Sequence, residues 1–527
     1  MRVLRLATLA LAALLAVPLA AALPASAASV LNRGTGAEPT SLDPHKGFAG
    51  SAVIILYDLF QGLMTPDAAG KATFGQAESF TVSPDGLVYT FKLRPNLQWS
   101  DGVALTAEDF VYSMRRALDP KTASRLASQL YPIKGARAVN RGAPPETLGV
   151  RALDPRTVQI TLESPKVFFP DILISIIAAP VPRHVIEKLG DEWTKPGNLV
   201  SNGAFMLKEY VPQSYIRAEK NAKFWDAGNV KLDAVVYTPT EDLGTSLRRF
   251  RAKELDIALN FPPDQIGWIK ENLKTELKTA PALGIYYFLL NTAKPPFDDV
   301  RVRKALSMAI DRQGMIDRVL KNDVIPAWGV VPGAVSGTTP RTDPMAGKSM
   351  GERQAAARAL LTEAGYGPGK PLKFTLRYNT LEENRIIAVT LAAMWKPLGV
   401  EVTLQNADFR AITQAAQQGD FEMLNYTWYA PYDDPTAFLT VLGSGNPNNR
   451  SFYSNAAYDK LLAETDGMTD AGKRLAALKQ AEDMAMADEP LIPLYFYVNR
   501  SLVHKEVKGW VPNPKSANLA RFLSVER

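Results

Sequence analysis

At 527 residues, with 46% hydrophobic and 22% charged side chains, the chain is too long for one core and has the make-up of a globular protein of two or three domains. It has no cysteine, which excludes disulfides, thiolate metal sites, cysteine nucleophiles and lipid attachment through an N-terminal cysteine. Its three histidines, His45, His184 and His504, lie far apart without metal-ligand spacing. The net charge of +6 has no dense Lys/Arg run behind it, so no metal, no other cofactor and no nucleic-acid partner is expected.

The chain opens with an export signal. Arg2 and Arg5 precede an Ala/Leu/Val run from Leu6 to Ala22, and Ala25-Ser26-Ala27 is a small-x-small cleavage site. Residues 1–27 therefore read as a signal peptide, removed on export. No later apolar run is long enough to span a bilayer, so the expected product is free in the periplasm.

In chain order, Ser29–Leu31 begins a strand and a turn-rich loop follows, Glu38-Pro39-Thr40-Ser41-Leu42-Asp43-Pro44-His45. Helical spacing puts Val53, Ile54, Tyr57 and Phe60 on one face between 51 and 63. Residues 87–93 alternate as a strand. Thr106 caps a helix with acidic residues in its first turn and Phe110, Met114 and Ala117 as its buried stripe. Another strand runs from Val158 to Leu162, and 180–203 is rich in loop residues. Short strands near 235–237 and 255–259 flank a helix over 242–253. From Ile285 to Asn291 the chain is a strongly apolar strand, and Asp298 or Asp299 caps a helix over 300–310. A Pro/Gly-rich loop covers 324–343. Helix 352–364, strand 372–378, helix 382–395 and strand 400–404 then suit a parallel sheet. A strand at 421–428 delivers Trp428-Tyr429-Ala430-Pro431-Tyr432-Asp433-Asp434-Pro435, three aromatics and two carboxylates held by two prolines. Such a loop at a strand's C-terminal end is a candidate pocket wall. Helices near 456–465 and 470–487 and an aromatic strand at 491–498 complete the chain.

Nothing in these segments marks an enzyme. There is no phosphate-binding glycine loop and no Gly-x-Ser-x-Gly elbow. The pairs Asp433/Asp434 and Asp298/Asp299 have ordinary readings as a turn and a helix cap. No catalytic residue is assigned, and a binding protein is the expectation. A carboxylate-dependent secreted hydrolase is the alternative from another class; the histidine count disfavours a metal or haem carrier.

Several motifs, in this order, resemble the oligopeptide-binding proteins of bacterial ABC importers, within the family 5 extracytoplasmic solute-binding proteins. They include Ser41-Leu42-Asp43-Pro44-His45-Lys46, Trp99-Ser100-Asp101-Gly102 with Thr106-Ala107-Glu108-Asp109, and Lys195-Pro196-Gly197-Asn198. Lys294-Pro295-Pro296-Phe297-Asp298-Asp299, Leu361-Thr362-Glu363-Ala364-Gly365-Tyr366 and Tyr495-Phe496-Tyr497-Val498-Asn499 continue the series. The resemblance implies an α/β, two-lobed, hinged periplasmic-binding-protein fold with mixed sheets and an additional domain in the first lobe. By matching, domain I takes 28–60, 181–283 and 498–527, domain II is the extra domain at 61–180, and domain III is the second lobe at 284–497. It also implies a monomer that binds a peptide or other small solute between its lobes and delivers it to the membrane permease subunits of an ABC importer.

The same resemblance places an aspartate for the peptide's ammonium where this chain has Pro431. It places basic residues for the peptide carboxylate at Leu320, Asn384, Ala416 and Asn425, and acidic residues at Phe48 and Leu289. The expected pocket is therefore less charged than in standard oligopeptide binders. Its candidate ligand contacts are Phe48, Gly50, Asn260, Tyr287, Asn384, Phe409, Asn425, Trp428, Tyr429, Pro431, Tyr432, Asp433 and Tyr497. A peptide derivative, an end-blocked or cyclic peptide, or a neutral amphipathic solute suits this set; the alternative is an ordinary oligopeptide receptor with Asp433 as ammonium anchor.

Overall fold

The computed structural model describes residues 28–47 and 50–527, so the expected leader and Phe48 lie outside the described residues. The fold is α/β and two-lobed, organised on one long mixed sheet. Across it the strands run Val400–Ala407, Leu372–Asn379, Met423–Tyr429, Leu277–Leu290, Leu491–Val503, Ile257–Leu259, Val30–Gly36, Ala234–Pro239, Tyr215–Lys220 and Phe205–Val211.

Two strands carry this sheet from one lobe into the other. Leu277–Leu290 and Leu491–Val503 pair antiparallel over 14 and 13 residues. Sequence reading captures only their apolar halves, because Leu277-Lys278-Thr279 and Asn499-Arg500-Ser501 lack the apolar signal. Their register breaks in the middle: Pro281 faces Val498, but the next pair is Ile285 with Phe496. Three residues on one strand oppose one on the other, beside a proline that has no N–H to give the ladder. The expected boundaries at 283/284 and 497/498 fall at this irregularity.

On the second-lobe side the strand Leu277–Leu290 is covered on both faces. Ile285, Tyr287 and Leu289 enter one apolar core, and Tyr286, Phe288 and Leu290 enter another. Strand alternation produces this split, and burial of both faces explains the unbroken apolar run. Strands Leu372–Asn379 and Val400–Ala407 are parallel in continuous register, with helix Glu382–Trp395 between them. A helix not anticipated from sequence, Phe409–Gln418, leads on to Met423–Tyr429. It is rich in Ala and Gln, and buries only Ile412, Ala415 and Ala416.

On the first-lobe side Val30–Gly36 lies between Ala234–Pro239 and Ile257–Leu259, parallel to both, and Leu243–Arg251 forms the crossover. A separate antiparallel sheet orders Ala77–Val82, Val88–Leu93, Thr157–Thr161 and Val150–Asp154. Helix Ala107–Leu118 buries Phe110, Met114 and Ala117 as expected, and Asp109 accepts the Thr106 N–H at 2.7 Å. Among the described residues, no helix is long and apolar enough to cross a membrane.

All three histidines serve packing. His504 stacks on Phe250 with centroids 3.9 Å apart, and His184 meets Asp101 at 2.8 Å. His45 is 1% exposed and its Nδ1 lies 2.8 Å from the Arg116 guanidinium, which also holds both oxygens of Asp43. Burial, with Arg116 alongside, lowers the imidazole from 6.5 to about 4 despite the opposing pull of Asp43. The unfolded chain takes up this proton below about pH 6.5 and the fold does not. The stability tied to neutral His45 is thus present above that pH and lost as pH falls toward 4. His45→Gln is expected to flatten the fall in urea midpoint between pH 7 and pH 4.5; an unchanged fall would show that His45 does not carry it.

Candidate functional site

The loop after Met423–Tyr429 is held from every side. Trp428 Nε1 donates to the Ala437 carbonyl at 2.7 Å, and the Ala430 N–H donates to Leu283 at 2.9 Å. Asp434 is buried and takes both terminal nitrogens of Arg474, at 2.7 and 2.9 Å, with side-chain exposures of 8% and 5%. The remaining capacity of Asp434 accepts the Thr436 N–H at 3.0 Å and its hydroxyl at 2.6 Å. Asp433 turns the other way, and its two oxygens accept the Ser336 N–H at 2.8 Å and hydroxyl at 2.6 Å. Both carboxylates of the loop are therefore spent within the second lobe.

Among the loop's aromatics, Tyr432 reaches across the cleft. Tyr432 stacks on Phe168, with centroids 4.6 Å apart and planes 4° from parallel. The Arg474 guanidinium lies 5.5 Å from the same Phe168 ring. The Asp433 N–H donates to Asp171 at 2.6 Å, Lys515 holds the second oxygen of Asp171 at 2.5 Å, and Lys166 pairs with Asp466. These contacts close one side of a cleft that contains two cavities. One, about 400 Å³, is walled by Val53, Tyr57, Ile174, Leu283, Tyr429 and Lys515. The other, about 640 Å³, is walled by Tyr131, Phe168, Trp428, Tyr432, Thr440 and Asn448. Gln129, Tyr429 and Pro431 border both.

Tyr429 is 56% exposed and stacks on Tyr497 at 5.0 Å. It faces Gly284 across the ladder, where a Cβ would sit 2.6 Å from its ring, so glycine makes room for the ring there. Partial desolvation, with the nearby charge of Glu383 and against that of Arg500, pushes the Tyr429 phenol up to about 12. Tyr497 in turn meets Tyr495 edge-on at 5.3 Å, and the Tyr495 hydroxyl donates to Glu383 at 2.9 Å.

The cleft thus gathers Trp428, Tyr429, Pro431 and Tyr432, with Tyr497 behind Tyr429. Other expected contacts lie elsewhere. Tyr287 is 5% exposed in the second-lobe core beside Tyr426, because its strand is buried on both faces. Asn384 and Asn425 are buried: Asn384 accepts from the Tyr286 hydroxyl at 2.9 Å and donates to Asn379, while Asn425 accepts the Asn379 N–H at 3.0 Å. Their oxygens order the second lobe from within. Leu289 and Ala416 are buried in one apolar core. Phe409 is 72% exposed at the start of its helix, and Asn260 is exposed with φ +64°. Gly50 is exposed at the first position of helix Gly50–Leu59, whose Val53 and Tyr57 reach the smaller cavity.

Sequence reading missed Gln129, Phe168, Asp171 and Lys515. Phe168-Phe169-Pro170-Asp171 carries the same aromatic-proline-carboxylate signal as the loop it meets. Gln129 and Lys515 carry no such signal.

With this geometry in view, comparison with known proteins is decisive. The model of the bacterial extracellular solute-binding proteins, family 5 (middle region), matches residues 73–450. The chain belongs to this family. It is 38% identical to the periplasmic oligopeptide-binding protein OppA of Escherichia coli K12 over 511 residues, 95% of this chain and 94% of that one. It is 40% identical to the probable deoxycholate-binding periplasmic protein YgiS of the same organism over 508 residues, 95% of each chain. A solved structure of the murein tripeptide-binding protein MppA, in an unliganded open form, matches with a TM-score of 0.84 at 37% identity, covering 95% of this chain and 98% of that one. These relatives are binding proteins by name, in line with a site that gathers aromatic surface.

The loop's geometry rests on Arg474. Arg474→Ala leaves Asp434 buried without its cation and is expected to cost about 3–5 kcal/mol of unfolding free energy. The double variant Arg474→Ala/Asp434→Ala should recover part of that loss. Urea titration of the three proteins checks this, and a single-variant loss below about 1 kcal/mol would mark the pair as no more than a surface bridge.

Proposed function

We propose that the chain is an extracytoplasmic receptor that encloses a peptide or peptide-like solute between its lobes and delivers it to the permease subunits of an ABC importer. The observation that carries the reading is the loop at 428–435. It lines both interlobe cavities with aromatics while Asp433 and Asp434 are engaged by Ser336 and Arg474. The ligand contacts in this reading are Tyr57, Gln129, Trp428, Tyr429, Pro431 and Tyr432. The lobes move about the register break in strands Leu277–Leu290 and Leu491–Val503. The protein works as a periplasmic monomer, exported by its leader, and binds without turnover.

With Pro431 at the ammonium position and Asp433 turned to Ser336, the solute is a peptide derivative or an end-blocked peptide, not a zwitterionic peptide gripped at both ends. A second reading, an amphipathic steroid-like solute, is favoured by the 40% identity to the probable deoxycholate-binding protein and by the aromatic cleft.

Native mass spectrometry of protein purified from its own periplasm, followed by analysis of what it releases on denaturation, tests both. An end-blocked or derivatised peptide is expected. A ladder of ordinary free-ended peptides would refute the remodelled pocket, and a sterol-like acid would favour the second reading. Asp433→Asn is expected to change affinity for the released compound by less than about threefold, since loss of a true ammonium anchor costs several kcal/mol. Isothermal titration calorimetry decides it.

A further inference from the structure

The charges bordering the cleft nearly all have partners. Asp171 is matched by Lys515, Asp466 by Lys166, and Asp434 by Arg474. Arg500 spends its charge on Asp323 at 2.5 Å. Arg137 and Glu163, which border the larger cavity together, are one of each sign. Behind Tyr429, outside the lining of either cavity, one carboxylate stands apart. Glu383, in the first turn of helix Glu382–Trp395, is partly buried and accepts one hydrogen bond, from the Tyr495 hydroxyl. Among the described residues it forms no ion pair.

What surrounds Glu383 is aromatic. Tyr495 touches it, Tyr497 packs edge-on against Tyr495, and Tyr429 stacks on Tyr497 and reaches into the cleft. The three phenols stay neutral, because burial and the Glu383 charge both raise them. They present ring faces and hydroxyl oxygens but no charge of their own. Arg500 lies near Tyr429 but its Nε is held by Asp323, and a partly buried carboxylate beside tyrosine rings that forms no ion pair among the described residues has the chemistry of a site for an ammonium or guanidinium group.

Resting on the proposed solute-binding role, we propose that Glu383, with Tyr429 and Tyr497, binds a cationic group of the transported solute. The ligand's positive charge is then read at the start of helix Glu382–Trp395 and not at Pro431. An acidic amphipath would meet repulsion here, so the site also separates the two readings of the solute.

The test uses ligand-stripped, refolded full chain and two peptides blocked at both ends, acetyl-Ala-Lys-Ala-amide and acetyl-Ala-norleucine-Ala-amide, which differ only in the terminal ammonium. The lysine peptide is expected to bind about tenfold tighter or more in calorimetry. Glu383→Gln, which keeps an acceptor for the Tyr495 hydroxyl, is expected to close that gap with little change in thermal midpoint. Equal affinities in the unmodified protein, or a gap that survives in Glu383→Gln, would overturn the assignment while leaving the peptide role standing. Should neither peptide nor free tri-alanine bind, the peptide role fails, and the compound released from the native protein decides Glu383. A released compound with a basic nitrogen, no longer retained by Glu383→Gln, supports the assignment; one without it overturns the assignment. A protein that binds none of these and retains nothing overturns both.

Discussion

The buried pair between Asp434 and Arg474 is the constraint on which the cleft depends. Two charges taken out of water gain little net stability over a well-packed apolar pair, so the importance of this one is geometric. Bidentate contact fixes both the position and the plane of the guanidinium. That guanidinium also faces Phe168, which stacks on Tyr432. One side chain therefore sets the shape of the 428–435 loop and the surface that loop offers to Phe168. Tyr432 consequently packs against the cores of both lobes.

The long strands explain how the two lobes share one sheet. A continuous strand transmits position rigidly along the hydrogen-bonded ladder, whereas a stretch where three residues oppose one gives up part of that ladder. The break at Pro281–Ile285 lies next to Gly284, on which Tyr429 rests. The irregular part of the sheet and the aromatic wall of the cleft are thus one place.

The cleft is defined by charge matching as much as by shape. The carboxylates around it, Asp171, Asp433, Asp434, Asp466 and Glu163, are each committed to a lysine, an arginine or a backbone amide. Such pairing leaves aromatic surface to supply contact, and rings do so at low entropic cost because they have few rotatable bonds.

Much of the scaffold was legible in the residues. The cap at Asp299, the stripe Phe110/Met114/Ala117, and the parallel units from 372 onward follow from local periodicity and turn chemistry. The ordered motifs implied the family. Helix Phe409–Gln418 escaped because an Ala/Gln segment with three buried positions has a weak apolar signal. The outer halves of the two long strands escaped because their polar residues alternate with too few apolar ones. What sequence could not say was where each candidate side chain points. Tyr287 belongs to the core because its strand is buried on both faces, Asn384 and Asn425 face each other through Asn379, and Asp433 turns to Ser336, 97 residues away. Lys515 joins the cleft from near the C-terminus by meeting Asp171 across 344 residues. Local sequence determines backbone preference and which residues are apolar. The partner of a polar side chain is chosen by long-range packing, and only the tertiary structure brings those partners together.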